Sequence, residues 1–217
     1  MLCPSLPTSR KPMIARRGKT MLYVLLAIMA GLMVMLVITM LGPGAAQMAE
    51  SHPWVGQPLP ATTLEPMLNV EQPLETADLA GKVTLINFWG PWCPPCLLEF
   101  PDLLQIREEF RDQPDFAFVS VAADGGWMPG QPTSFNEDLE TLVPQSQLVL
   151  AKFNTTLPVY VDQHADLRIG LSQVKQYQGY PTTLLVDQQG KIQAVWIGYG
   201  GDLSDISKKI RELLEAG

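Results

Sequence analysis

The longest hydrophobic pattern in the chain is an uncharged run from Met21 to Leu41. As an α-helix rising about 1.5 Å per residue, this run is about 30 Å long, which matches the hydrocarbon core of a bilayer. The alternative is a cleaved signal peptide, because small residues follow at 44–46, but the apolar part of such a peptide spans only about 7–15 residues. The run therefore predicts a transmembrane anchor over residues 21–41.

Beyond this run, short strand-like segments alternate with segments of helical spacing. β-branched and apolar runs predict strands at 83–88, 116–122, 157–161, 182–186 and 192–197. Apolar spacing predicts helices at 97–110, at 166–178 and from Asp202 or Ser204 to Glu215. A capping box of Ser134 and Glu137 predicts a further helix, which Pro144 should break or kink. This order is typical of an α/β protein whose central sheet is covered on both faces.

The charges are distributed unevenly along the chain. Five of the 15 basic residues precede Glu50, whereas all 22 acidic residues lie from Glu50 onward. Because the basic flank of a transmembrane helix stays in the cytoplasm, residues 1–20 are predicted to form a cytoplasmic tail. A linker over 42–54, part of a Pro-rich stretch that continues to about Pro60, then leads to an extracytoplasmic domain over 55–217. The acidic charge of this domain argues against a nucleic-acid partner.

The cysteines limit the possible chemistry. With 3 Cys and 2 His, the chain lacks the residues for a disulfide-stapled scaffold or a four-ligand zinc site. Two of the cysteines form the motif WCPPC, residues 92–96, between the predicted strand at 83–88 and the next helix. The N–H groups and dipole of a helix N-terminus favour a thiolate there. The spacing predicts a redox disulfide in which Cys93 is the nucleophile at the exposed end and Cys96 resolves a mixed disulfide.

The stretch ADLAGKVTLINFWGPWCPPCLLEFP, residues 77–101, resembles the signature of a known family. It is similar to membrane-anchored thioredoxin-like proteins of the TlpA, ResA and cytochrome-c-maturation (DsbE-like) type. The resemblance continues at 157–162, 179–183 and 186–191, and it covers essentially residues 55–217. It implies a thioredoxin-like fold, with a central mixed sheet flanked by helices, an N-terminal strand extension and an inserted αβ element that residues 123–162 fit.

The resemblance also implies residue roles. Cys93 matches the attacking cysteine and Cys96 the resolving one, while Pro181 matches a cis-proline that lies against the disulfide. Glu99 matches an acidic residue three positions after the second cysteine, where a carboxylate could take the proton that Cys96 loses. The alternative for Glu99 is a first-turn carboxylate that complements the helix dipole.

Five residues are expected to line the substrate groove: Trp92, Pro94, Pro95, Tyr180 and Pro181. Trp92 is expected to shield the disulfide. Tyr180 is bulky for its position, so it either narrows the groove or forms an aromatic wall for a particular partner.

Two sequence features bear on the redox properties of the pair. The prolines at 94–95 have no N–H, so a Cys93 thiolate would be stabilised mainly by the helix dipole and by the Cys96 N–H. This predicts a more reducing couple than that of a DsbA-like site. Asn87 stands where thioredoxin has a buried acid, which leaves Glu99 as the candidate proton acceptor.

The sequence therefore predicts a membrane-tethered thiol–disulfide oxidoreductase that reduces cysteine pairs of extracytoplasmic proteins and uses no cofactor and no metal. The resemblance implies a membrane electron donor of the DsbD or CcdA type. It also implies clients in cytochrome c maturation or copper-site assembly, and a single-pass location in the cytoplasmic membrane with the domain in the periplasm or outside. Two alternatives use the same cysteines: a thiol oxidant, and a Cu(I)-binding module held by two thiolates.

Overall fold

The computed structural model describes residues 15–40, 51–125, 137–201 and 203–217, with side chains throughout except at 15–20 and 34–40. The chain divides into two compact units, residues 1–44 and residues 45–217. The first unit contains helix α1, Ala15–Met40, which covers nearly all of the uncharged run, and its side chains from 21 to 33 are exposed.

No helix is long and apolar enough to cross a membrane among the residues that the structure describes with their side chains. The predicted cytoplasmic tail and the predicted anchor over 21–41 stay predictions.

The second unit is built on a seven-stranded mixed sheet. Its strands are β1 (Thr63–Leu68), β2 (Leu74–Glu75), β3 (Val83–Trp89), β4 (Phe116–Ala122), β5 (Val159–Val161), β6 (Thr182–Val186) and β7 (Ile192–Ile197). They lie in the order β2-β1-β5-β4-β3-β6-β7, with β3, β4 and β5 mutually parallel and the other neighbours antiparallel. All five strands predicted from the sequence are present, and the N-terminal extension implied by the resemblance consists of β1 and β2.

Four helices accompany this sheet in the described part of the second unit, together with a 3₁₀ helix at Thr76–Leu79. They are α2 (Pro94–Glu109), α3 (Leu139–Lys152), α4 (Asp166–Ser172) and α5 (Ser204–Ala216). Helix α3 and strand β5 follow β4 and precede α4, so they form the αβ insert that the resemblance places within 123–162. The thioredoxin-like α/β fold is therefore confirmed.

Several predicted helix boundaries are wrong. Helix α3 begins at Leu139 and is capped by the side chain of Asp138, which accepts from the Thr141 N–H, while Ser134 lies outside the described residues. Glu137 takes no part in a capping box because its carboxylate is engaged elsewhere, as described below. Pro144 does not break the helix, which continues to Lys152.

The other two differences lie near the C-terminus. Helix α4 ends at Ser172, well before the predicted end at Gln178. Helix α5 follows Leu203 without a side-chain cap, so Ser204 is its first residue rather than its cap, and Asp202 lies outside the described residues.

The two faces of the sheet bury separate cores, because successive residues of a strand point to opposite faces. Along β3, Ile86 and Phe88 belong to one core, whereas Val83 and Leu85 belong to another that includes α2 and α5 residues. The first core also contains the fully buried Trp54, which directly precedes the predicted domain boundary at residue 55. A third core surrounds the two motif cysteines.

Candidate active site

The two motif cysteines form a disulfide at the junction between β3 and α2. Cys93 is the N-cap of α2, the S–S distance is 2.07 Å, and the Cα atoms are 5.3 Å apart. The Cys96 N–H donates to Cys93 Sγ at 3.3 Å. Because the two intervening residues are prolines, which have no N–H, the Cys96 N–H is the backbone donor expected for the Cys93 sulfur. The structure confirms this contact.

Both cysteines are buried. Cys93 is 2% exposed and Cys96 is 1% exposed, and they pack in the third core with Trp89 and Phe100. The prediction that Cys93 lies at an exposed end is therefore wrong for the disulfide form. The exposed residues of the motif are instead its aromatic and proline members, Trp92, Pro94 and Pro95.

Trp92 is held in one position although it is 43% exposed. Its Nε1 donates to the Ala123 carbonyl oxygen at 2.9 Å. The indole lies against the backbone of Gly90 and Gly125, where an added Cβ would come within 2.6 Å and 2.5 Å of Trp92 Cε2, respectively. Only glycine fits at these two positions while the indole stays in place, so the segments that follow β3 and β4 both approach this ring closely.

The Tyr180–Pro181 peptide bond is cis, as the resemblance implies. Thr182 pairs with Phe88, so Pro181 lies at the same end of the sheet as the residues that lead from β3 into the cysteine motif. The ring of Tyr180 packs edge-to-face on Trp92, with centroids 5.5 Å apart and an interplanar angle of 86°. This contact brings together two of the predicted groove residues, Trp92 and Tyr180, from separate parts of the chain.

Glu99 lies one turn after Cys96 on α2 and is 1% exposed. Asn87 Nδ2 donates to Glu99 Oε2 at 3.3 Å, and Thr183 Oγ1 donates to Glu99 Oε1 at 3.4 Å. Burial raises the pKa of Glu99 to about 7, against the two hydrogen bonds, which act to lower it. The alternative, a first-turn carboxylate that complements the helix dipole, is wrong, because α2 begins at Pro94 and has no acidic residue in its first turn. The burial of Glu99 is compatible with the proton-acceptor interpretation.

A second buried network lies behind Tyr180 and was not predicted. Arg168 of α4 donates to Tyr180 Oη at 2.7 Å, to Glu137 Oε1 at 2.5 Å and to Asp162 Oδ2 at 3.1 Å. Glu137 also accepts from the Asp124 N–H at 2.7 Å. Burial raises the pKa of Glu137 to about 7, and the charge of Arg168 opposes that rise.

Only weak signals in the sequence point to the contacts that were not predicted. Thr183 follows Pro181 by two residues, and its partnership with Asn87 depends on the register of β3 with β6. Arg168 is a single basic residue within an apolar helical segment. No group of three or more candidate metal ligands occurs within the described ranges.

The fold and the disulfide at the start of α2 define a thioredoxin-like thiol–disulfide oxidoreductase. The family model described as Redoxin matches residues 54–210, and the chain belongs to this family.

Named relatives agree with this assignment, and a solved structure agrees with the fold. The chain is 33% identical over 123 residues to the thiol:disulfide interchange protein HelX of Rhodobacter capsulatus, covering 50% of this chain and 65% of HelX. It is 26% identical over 144 residues to the thiol-disulfide oxidoreductase ResA of Halalkalibacterium halodurans, covering 65% of this chain and 68% of that protein. The fold matches the solution structure of a putative protein disulfide isomerase from Bacteroides thetaiotaomicron with a TM-score of 0.58 and 21% identity, over 74% of this chain and 90% of that one.

Proposed function

We propose that the protein is a reductant of disulfides in extracytoplasmic proteins. The observation that carries this proposal is the Cys93–Cys96 disulfide at the N-terminus of α2, where the motif prolines leave the Cys96 N–H as the backbone donor to the Cys93 sulfur. A strongly stabilised thiolate makes a dithiol an oxidant, because the reduced form is then favoured. A site with few donors to its thiolate is consequently more reducing, which supports reduction over oxidation as the cellular role.

The reaction is a two-electron exchange between two pairs of sulfurs. The Cys93 thiolate attacks one sulfur of the client disulfide, forming a mixed disulfide and releasing the other client sulfur as a thiolate that takes up a proton. Cys96 then loses its proton and attacks Cys93 Sγ, which forms the Cys93–Cys96 disulfide and releases the second client thiol. The client disulfide is reduced to two thiols while the protein dithiol is oxidised to a disulfide.

Glu99 is the proposed acceptor for the proton that Cys96 loses. It lies one turn further along the same helix, and its pKa of about 7 is close to physiological pH. A carboxylate with this pKa takes and returns a proton near neutrality more readily than an ordinary solvated glutamate does.

The proposal includes a membrane tether. The uncharged run over 21–41, the helical conformation of Ala15–Met40 and the basic residues before the run support a single-pass anchor with a cytoplasmic N-terminus. The second unit would then face the periplasm or the outside. A reductant in that location needs a supply of electrons across the membrane, so a membrane donor of the DsbD or CcdA type belongs to the proposal.

The proposed clients are proteins whose cysteines must be kept reduced for a later step, such as apocytochrome c or copper-site assembly proteins. Their cysteines are at risk of disulfide formation in an oxidising compartment. Trp92 and Tyr180, which pack on each other, are proposed to line a groove with Pro181 for a protein segment that approaches beside the disulfide.

The proposed function is tested by insulin reduction with the purified full chain. The reduced wild type should reduce insulin disulfides, whereas Cys93→Ser should be inactive because it lacks the attacking sulfur. Cys96→Ser should accumulate a mixed disulfide with insulin that dithiothreitol releases. Wild-type protein that fails to reduce insulin, or Cys93→Ser protein that keeps full activity, would contradict the assignment. Alkaline extraction and protease accessibility in intact bacterial spheroplasts test the tether and its orientation.

A further inference from the structure

Arg168 connects the αβ insert to the aromatic residues beside the disulfide. It is buried on α4, and each of its three guanidinium nitrogens donates to a different acceptor group. Two acceptors are carboxylates of the insert region: Asp162, which directly follows β5, and Glu137, which lies before α3. The third acceptor is the hydroxyl of Tyr180, the residue before the cis-proline. The fixed fork of an arginine can hold all three at once.

The hydroxyl contact is one of several that hold the Tyr180 ring, which also packs on Tyr177 with ring centroids 5.6 Å apart. One end of the ring is bound to a buried charge, and a flank of the ring packs on Trp92. Trp92 is itself fixed by its bond to the Ala123 carbonyl oxygen and by the close approach of Gly90. We call Trp92 and Tyr180 together the aromatic wall.

Because the cysteines are buried, the aromatic wall affects how a substrate disulfide reaches them. Cys93 is 2% exposed, so a disulfide that reacts with it must approach closely past its neighbours. A protein segment can pack against the wall as it approaches, whereas a small disulfide offers little surface to do so. A wall that is already fixed requires no ordering when the protein segment binds.

We propose that Arg168 is a positioning residue that holds Tyr180 against Trp92 and thereby favours protein disulfides over small disulfides. This inference rests on the proposed function. If the arginine only balanced the charges of the two carboxylates, its hydroxyl contact would have no effect on the choice of substrate.

Tyr180→Phe tests this inference with the least change. The variant keeps the ring and removes only the hydroxyl that accepts from Arg168. Tyr199→Phe is the matched control, because the Tyr199 hydroxyl donates to the Asp102 carboxylate at 2.6 Å and the ring packs against a different core. For each reduced full chain, the second-order rate constants are measured with insulin and with glutathione disulfide.

The expected result is a selective loss. The ratio of the insulin rate constant to the glutathione-disulfide rate constant should fall about three- to tenfold in Tyr180→Phe, the range that one net hydrogen bond corresponds to. The ratio should not change in Tyr199→Phe. An unchanged ratio in Tyr180→Phe would overturn the inference, whereas wild-type protein that reacts with neither disulfide would overturn the proposed function instead.

Arg168→Lys provides a second variant if Tyr180→Phe does not fold. Lysine keeps a positive charge beside the carboxylates but lacks the planar fork that also reaches Tyr180. The same selective fall in the rate ratio is expected, and a wild-type ratio in a folded Arg168→Lys protein would also overturn the inference.

Discussion

Replacing Glu99 with glutamine should make the protein relatively more stable as the pH rises. Glutamine has nearly the same shape and cannot ionise, so it removes the cost of placing a charge at this buried position. Glu99 is 1% exposed, and burial raises its pKa from 4.5 to about 7. In the unfolded chain the carboxyl ionises at its ordinary pKa, while in the folded protein it keeps its proton until about pH 7.

The size of the effect follows from proton linkage. Because the folded state binds the proton more tightly, wild-type stability is fully present below pH 4.5 and falls as the pH rises to about 7. The full difference is about 3 kcal/mol at about 1.36 kcal/mol per pH unit. Most of this change, about 2–3 kcal/mol, falls between pH 5 and pH 8. The buried Glu137 titrates in both proteins, so its contribution cancels in the comparison.

The assay is urea unfolding of the oxidised full chain, followed by near-ultraviolet circular dichroism at pH 5 and pH 8. The stability of Glu99→Gln minus that of wild type should rise by about 2–3 kcal/mol between the two pH values. Glu108→Gln, which removes an exposed carboxylate from the same helix, controls for net charge and should show no such rise. The same stability difference at pH 5 and pH 8 for Glu99→Gln would refute a buried carboxylate with a raised pKa.

Three further substitutions test the contacts around the site. Gly90→Ala should displace the Trp92 indole and alter the change in tryptophan fluorescence on reduction. Gly200→Ala is the control, because there is open space around Gly200, and it should leave that fluorescence change as in wild type. Identical spectra for the two variants would count against the close packing at Gly90. Arg168→Met should lower the free energy of unfolding in urea by about 3–5 kcal/mol, because two buried carboxylates lose their partner. A decrease of less than about 1 kcal/mol would be inconsistent with a buried ion-pair network. Thr183→Val removes a hydroxyl donor to Glu99, so the pH at which the Glu99-dependent loss of stability is half complete should rise. A fall in this midpoint pH would contradict the hydrogen bond.

Local signals in the sequence predicted the central part of the site. The β-branched run before residue 89 and the apolar spacing after residue 97 place the cysteine motif between a strand and a helix, as the structure has it. The cis bond before Pro181 followed from the resemblance, and the position of Glu99 on the helix followed from its spacing of three from Cys96. These features depend on residues that are close together in the chain or on a specific motif.

The contacts that the sequence did not predict join distant segments. The hydrogen-bond acceptors of Arg168 are separated from it by 6, 12 and 31 residues in the sequence. They come together only in the folded protein. The spacing of Ser134 and Glu137 matches a capping box, but Glu137 is used by Arg168 instead. Cys93 is buried because its side chain turns into the third core, which a local pattern does not show.

The reduction potential of the Cys93–Cys96 couple tests the central claim most directly. It is measured by equilibrating the full chain in glutathione or dithiothreitol redox buffers and quantifying the free thiols of the two cysteines. A reducing disulfide at the start of α2 predicts a potential more negative than about −200 mV, on the thioredoxin side of the known range. A potential less negative than this, towards the value of about −120 mV found for the strong oxidant DsbA, would contradict the account.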